Sequence, residues 1–257
     1  MPAPREPSFD VYLTQLEGDI PLAVVLDMAV ADHGPLPTHP LRLMVRVPLL
    51  HPRPDGLRDA SEQESMGIVE DSLVETLTTR LDGLFVGRFM AEGVVTFGFY
   101  LPESSRHAAD QLADLLPPLG DYTAEGALAD DPEWEFYFDF LFPDRFSHQV
   151  MMNRQVLANL VEAGDHLELP REIDFFAYFS SRALADEAAV TLGKAGYTAD
   201  GPDSSDERPA EQRWSLQFHR IDRLADGRAD ELCHEILTLL APHEGVFDGW
   251  GSPLAKA

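Results

Sequence analysis

The chain repeats itself. Ser104-Ser105-Arg106-His107-Ala108-Ala109-Asp110 lines up with Ser180-Ser181-Arg182-Ala183-Leu184-Ala185-Asp186. After each stretch comes Tyr-Thr-Ala-acidic-Gly, at Tyr122 to Gly126 and again at Tyr197 to Gly201, then an acidic loop and a strand opened by Trp134 or Trp214. Self-similarity of this kind points to two copies of one supersecondary unit, so the 257 residues read as two related modules.

The periodicities fill in each module. Residues 11–30 read as two strands around Gly18-Asp19, and Leu41 to Leu50 alternates apolar and polar positions as a third strand. Ser61 to Leu81 carries apolar residues at helical spacing behind a capping-box start, Ser61-Glu62-Gln63-Glu64, and Gly83 ends it. Leu84 to Ala91 and Val94 to Leu101 flank Glu92-Gly93 as a hairpin. A helix from Ser104 to Leu116 stops at Pro117-Pro118, and Trp134 to Phe142 alternates aromatics like a half-buried strand. The second half gives a helix from His148 to Ala163, then strand Ile173–Phe179, helix Ser181–Lys194, strand Tyr197–Asp200, strand Trp214–Ile221, helix Asp230–Leu240 and a closing Val246–Gly251. The expectation is an α+β chain of two tandem ferredoxin-like (β-α-β-β-α-β) modules, residues 9–145 and 148–254, joined near Pro143 to Gln149, with antiparallel sheets and helices on one face.

Composition narrows the function classes. A net charge of −26, from 45 acidic against 19 basic residues, repels phosphate backbones and anionic lipids, which argues against direct nucleic-acid or membrane binding. No apolar run reaches bilayer length, and the Pro-rich, charged stretch from Met1 to Asp10 has no signal-peptide core, so a cytoplasmic location is expected. The single cysteine, Cys233, rules out an intramolecular disulfide and a thiolate cluster for zinc.

No catalytic constellation stands out, and no cofactor is expected. Cys233 and His234 are helix neighbours that point about 100° apart, which favours a buried thiol beside a surface imidazole. His33, His39 and His51 share a Pro-rich stretch with Asp32 and Asp55 and are weak metal candidates, although turn composition explains them equally well. The four glycines from Gly83 to Gly98 read as hairpin glycines, since Gly87-Arg88 lies inside a strand. Asp130-Asp131-Glu133-Glu135 and Asp203, Asp206, Glu207, Glu211 read as equivalent solvated loops or as an acidic rim for an arginine-rich partner.

The closing Val246-Phe247-Asp248-Gly249-Trp250-Gly251 resembles the aromatic-Asp-Gly-Trp-Gly ending of the RraB family, and the order from residue 148 onward, with Phe175-Phe176-Ala177-Tyr178-Phe179 and Gly196-Tyr197, is similar to that family. Residues 9–145 resemble the domain of unknown function 695 family, through Glu70-Asp71, Gly87-Arg88, Gly98-Phe99-Tyr100 and Trp134-Glu135-Phe136-Tyr137. The RraB resemblance implies a ferredoxin-like sandwich, inhibition of ribonuclease E by contact with its non-catalytic region, and no catalytic residues. The chain departs from better-known RraB members in lacking a long acidic C-terminal tail, ending at Ser252-Pro253-Leu254-Ala255-Lys256-Ala257, and in carrying the additional N-terminal module. Trp250 reads first as an anchor for the last strand, with a role at an interface as the alternative. The leading expectation is a non-enzymatic regulator or adaptor that meets its protein partner through Asp203, Asp206, Glu207, Glu211, Asp248 and Trp250. The rivals are a metal- or small-molecule-dependent enzyme with a site between the modules, and a homo-oligomer paired through sheet edges.

Overall fold

In the computed structural model, which describes residues 6–109 and 111–256, the chain divides into two compact units, Met1–Ser147 and His148–Ala257. Met1 to Arg5 of the N-terminal stretch, Asp110 of the repeat and the terminal Ala257 lie outside the described residues.

The first unit holds β1 (Phe9–Leu16), β2 (Ile20–Asp27), β3 (Leu41–Pro48), α1 (Gln63–Leu81), β4 (Leu84–Ala91), β5 (Val94–Leu101), two short turns of helix, α2 (Arg106–Ala109) and α3 (Leu112–Leu115), and β6 (Glu125–Asp130). Its six strands are antiparallel in the order β1-β2-β4-β5-β3-β6. Read from the other edge, β6-β3-β5-β4 has its strands in the order 4-1-3-2 of one β-α-β-β-α-β run, and the β1–β2 hairpin extends the sheet beyond β4. The face under α1 buries Leu41, Leu43, Val45 and Val47 with Phe97, Phe99 and Leu101 against Met66, Val69, Leu73 and Leu77 of the helix.

Several local expectations are corrected. Trp134 to Phe142 is not a strand: Trp134 takes a left-handed backbone (φ 58°) and Phe136–Leu141 winds into a π-helical turn. Alternating aromatics mimic a strand here because this turn covers the second face of the sheet, sinking Phe136, Tyr137 and Leu141 while Asp139 stays out of the core. Helical cover is therefore not confined to one face in this unit. The strand that closes the sheet is instead β6, an edge strand without a buried residue that pairs along β3 inside the expected acidic loop. Asp131 in that stretch is a buried carboxylate and not a solvated rim residue, so the two acidic stretches are not equivalent loops.

The sequence repeat is local and not topological. Tyr122 to Gly126 leads into β6, the last strand of its run, whereas Tyr197 to Gly201 contains β8, the second strand of the other. What the copies share is the exit from a helix through a buried tyrosine whose hydroxyl donates to a carboxylate, Tyr122 to Glu62 at 2.9 Å and Tyr197 to Glu235 at 3.2 Å. The helix expected from Ser104 to Leu116 is broken into α2 and α3. The capping box also shifts: Asp59 accepts from the Ser61 amide at 2.9 Å, while the Glu62 carboxylate turns away to accept from the amides of Leu50 and His51.

The second unit comprises α4 (Arg145–Glu162, from His148 on), β7 (Arg171–Phe179), α5 (Arg182–Lys194), β8 (Thr198–Ala199), β9 (Asp203–Ser204), β10 (Trp214–Asp222), α6 (Arg228–Leu240) and β11 (Val246–Gly251). Its antiparallel sheet has the order β11-β7-β10-β8, with β9 also on β10. Alternation along β7 turns Ile173, Phe175, Ala177 and Phe179 into a core with Ala185, Ala188 and Leu192 of α5 and Leu232, Ile236 and Leu240 of α6. Asp165 and Arg171 form a buried ion pair at 2.5 Å, and Asp165 also accepts from the Ala255 amide, which ties the C-terminal stretch to the start of β7.

Two tests follow from this architecture. Gly87 sits at a bulge in β4 with φ 144°, where a Cβ would stand 2.4 Å from the Val25 carbonyl oxygen, whereas a Cβ at Gly193 in α5 meets nothing within 4 Å. Gly87→Ala is therefore expected to destabilise by ~3 kcal/mol or more, and Gly193→Ala to be neutral or stabilising by up to ~1 kcal/mol, read from urea midpoints. Burial raises the Asp222 carboxyl, but hydrogen bonds from Arg228, Arg223 and Arg220 outweigh this and hold it at about 2. Its folded value lies below the unfolded one, so its stabilisation is complete above about pH 4 and is lost as pH falls toward 2. Asp222→Asn is expected to flatten the stability profile in that window, as followed by thermal unfolding at a series of pH values.

Candidate functional site

The helix-free face of the second sheet is the surface that the fold leaves open. On β7, Glu172, Asp174, Phe176 and Tyr178 alternate with the buried residues and face outward. Register places Ser215, Gln217, His219 and Ile221 of β10 beside Tyr178, Phe176, Asp174 and Glu172 on one side, and Val246, Gly249 and Gly251 of β11 beside Tyr178, Phe176 and Asp174 on the other. Gly249 has φ 139°, and a Cβ there would meet nothing within 4 Å, so β11 presents bare backbone next to Phe176, itself 38% exposed. Gln217 donates to Asp174 at 3.1 Å, and His219 stands 3.8 Å from Glu172.

The residues expected to bind a partner fall on both edges of this sheet. Asp203, Asp206, Glu207 and Glu211 are exposed on the β9 side, but the loop is not purely acidic. Arg213 pairs with Asp206, and Arg208 lies over the Tyr178 ring at 5.2 Å. Asp248 is exposed at the β11 bulge, on the opposite edge, so roughly 14 Å of sheet separates the two groups at about 4.8 Å per strand. Glu172 and Asp174, which lie between them, were missed by the sequence reading, although the alternation of carboxylates with Ile173 and Phe175 carries that signal.

Trp250 points the other way. It packs on the core, and its Nε1–H donates to the Asn153 carboxamide oxygen of α4 at 2.7 Å. The same oxygen accepts from Gln149 at 2.9 Å and lies 3.5 Å from the Cys233 thiol, while Asn153 donates to Asp230 at 2.8 Å. The tryptophan is thus an anchor joining β11, α4 and α6. Burial pushes the Cys233 thiol up to about 12, and His234 is exposed.

In the first unit the chemistry-bearing residues hold the fold. Tyr100 stacks on Trp134 at 4.1 Å and donates to Asp131 at 2.7 Å, and Asp131 also accepts from the amides of Glu135 and Phe136. Phe136 fills the space left by Gly98. Glu70 pairs with Arg88 at 3.0 Å. Glu62 accepts from two amides and from Tyr122, whose oxygen is 2.9 Å from Ser65; burial pushes this carboxyl up, but the three donors outweigh it and hold it below the usual range. His33, His39 and His51 are not drawn together: His39 contacts Thr38 and the Asp82 carbonyl, and no group of three or more His, Cys, Asp or Glu suited to a metal occurs among the described residues. Among them, too, no helix is long and apolar enough to cross a membrane.

Comparison with known proteins adds two matches. Residues 8–142 match the Family of unknown function (DUF695), and residues 151–252 match Regulator of ribonuclease activity B. No curated protein matches the chain. Among solved structures, a candidate glycine cleavage system transcriptional repressor is 7% identical with TM-score 0.25, covering 84% of this chain and 98% of its own. An unknown protein from Galdieria sulphuraria is 7% identical with TM-score 0.23, covering 84% and 99%. Scores this low establish no common fold.

The anchor role has a direct check. The Cys233 thiol is expected to resist a thiol reagent at pH 8 in the folded protein and to react on unfolding. Asn153→Ala, which leaves the Trp250 N–H unpaired, is expected to cost about 1–3 kcal/mol in urea unfolding and to speed thiol labelling.

Proposed function

Because the chain belongs to the DUF695 family and its C-terminal part matches the regulator of ribonuclease activity B family, we propose that it is a non-enzymatic regulator acting by contact with a protein of RNA degradation, ribonuclease E first among them. Each unit is read as a ferredoxin-like module, the first extended by a hairpin; the 4-1-3-2 strand order in both sheets supports this reading. The binding surface is the open face of the second sheet. Its single supporting observation is the tract formed by Glu172 and Asp174 around the exposed Phe176 and the bare backbone of Gly249 and Gly251.

Such a tract suits an arginine-rich extended segment. Guanidinium groups meet the carboxylates, while the segment's backbone lies along Gly249 and Gly251 of β11, which have no side chains to exclude it. A chain of net charge −26 adds long-range attraction for a basic partner and disfavours RNA as the ligand. Asp203, Asp206, Glu207, Glu211 and Asp248 act at the rim, where charges set the encounter rate more than the affinity. Trp250 acts through its hold on Asn153, keeping β11 in place.

Purified full-length protein and ribonuclease E provide the test, by biolayer interferometry and by an RNA-cleavage assay. Binding with slowed cleavage is expected near 50 mM salt, weakened about tenfold or more near 500 mM. Glu172→Lys with Asp174→Lys is expected to weaken binding about tenfold while leaving the circular dichroism unchanged. Absence of binding at low salt, or binding indifferent to the charge reversal, refutes the reading.

A further inference from the structure

The first unit contains a small cleft with an unusual charge balance. The face of the first sheet beneath α1 is not fully covered, because the β1–β2 hairpin continues the sheet past the helix. On that uncovered side a cavity of about 130 Å³ is walled by Val11, Val25, Met66 and Val95 and carries the two arginines Arg58 and Arg88. The lining comes from six segments of chain, and Val25 and Arg88 are directly paired across β2 and β4.

Both charged residues in the lining are arginines, and Glu70 pairs with one of them from outside it. Arg88 donates from Nε to Glu70 at 3.0 Å, and its Nη1 is buried without a hydrogen-bond partner. Arg58 lies close enough to act on both Glu70 and Arg88. Burial lowers the pKa of Arg88, Glu70 raises it and Arg58 lowers it; burial raises that of Glu70, with Arg88 opposing and Asp71 reinforcing. In a chain of net charge −26, a lining whose charged groups are both positive stands out, and it adjoins apolar walls. Such a pocket calls for an anionic head and an apolar tail. An apolar cavity of roughly 150 Å³ admits a benzene-sized guest, so the fitting ligand has about six non-hydrogen atoms. Inorganic phosphate would leave the valine and methionine walls unmatched, and a nucleotide is too large.

We propose that this cleft binds a short-chain organic carboxylate, its carboxylate on the Arg88 and Arg58 guanidiniums and its alkyl chain against Val11, Val25 and Met66. The site belongs to the first unit and does not depend on the regulator reading of the second.

Sodium butyrate is the probe, titrated into the full-length protein with the methionine methyl groups labelled for NMR. Met66 and Met90 methyl signals are expected to shift saturably at millimolar butyrate, and not with sodium chloride, phosphate or 1-butanol at the same concentrations. Arg88→Met is expected to weaken binding at least about tenfold. Because that change also unpairs Glu70, two further variants leave the Arg88–Glu70 pair in place: Arg58→Gln removes the second cation and Ala23→Leu fills the cleft. Both are expected to weaken butyrate binding by about tenfold with the unfolding midpoint retained. Methyl signals that stay unmoved by butyrate, that shift equally with butanol or chloride, or that respond unchanged in both Arg58→Gln and Ala23→Leu overturn the proposal.

Discussion

The stack of Trp134 on Tyr100, with the Tyr100 hydroxyl on the buried Asp131 carboxylate, is the contact on which the first unit turns. Burial, the bond to Asp131 and that residue's charge all raise the Tyr100 pKa, so the tyrosine remains a neutral donor. To reach the stack, Trp134 adopts φ 58°, and the chain then winds into the π-helical turn with Phe136 against Gly98. That turn in turn holds the β1–β2 hairpin: Tyr12 donates to the Leu141 carbonyl at 3.0 Å and Tyr137 to the Asp27 carbonyl at 2.9 Å. Without this second layer the hairpin would rest on the edge of β4 alone, and the wall it supplies beside Arg88 would not be fixed.

The two units use one strand order differently. In the first, both sheet faces receive cover, and the polar residues in between are largely consumed by hydrogen bonds to backbone. In the second, α5 and α6 serve one face only, and alternation along β7 assigns carboxylates and an exposed phenylalanine to the other. A face of this sort is stable in water because half its positions are polar, yet it keeps enough apolar area to reward a partner.

Much of this was legible in the sequence. Period-two runs marked β3, β7 and β10, helical spacing marked α1, α5 and α6, and the family-like segments 8–142 and 151–252 fell where their motifs suggested. What escaped has specific causes. β6 has almost no apolar alternation because it is an edge strand, and its pairing along β3 is a long-range choice. Trp134–Phe142 imitates a strand because a π-helical turn against a sheet also sorts aromatics from acids. Glu62 reads as part of a capping box and Asp131 as a solvated loop residue, and only the fold brings amide donors to them. The Arg58–Arg88–Glu70 group joins a loop, a strand and a helix, a meeting that no local pattern announces. The hydrogen-bond partner of Trp250, Asn153, lies nearly a hundred positions earlier, and nothing short-range links them.

The order of synthesis gives the hairpin a particular history. β1 and β2 leave the ribosome before the other strands of their unit, yet β2 finds β4 only when that strand has been made, and the turn that covers the pair, Phe136–Leu141, comes more than a hundred residues after β2. At ~5–20 residues per second, the hairpin waits on the order of 10 s with its apolar side uncovered. The first hairpin of the unit to be made is thus the last to be secured, and residues such as Leu13, still 71% exposed in the finished fold, belong to a stretch that a nascent-chain chaperone would meet before the remaining strands of that unit.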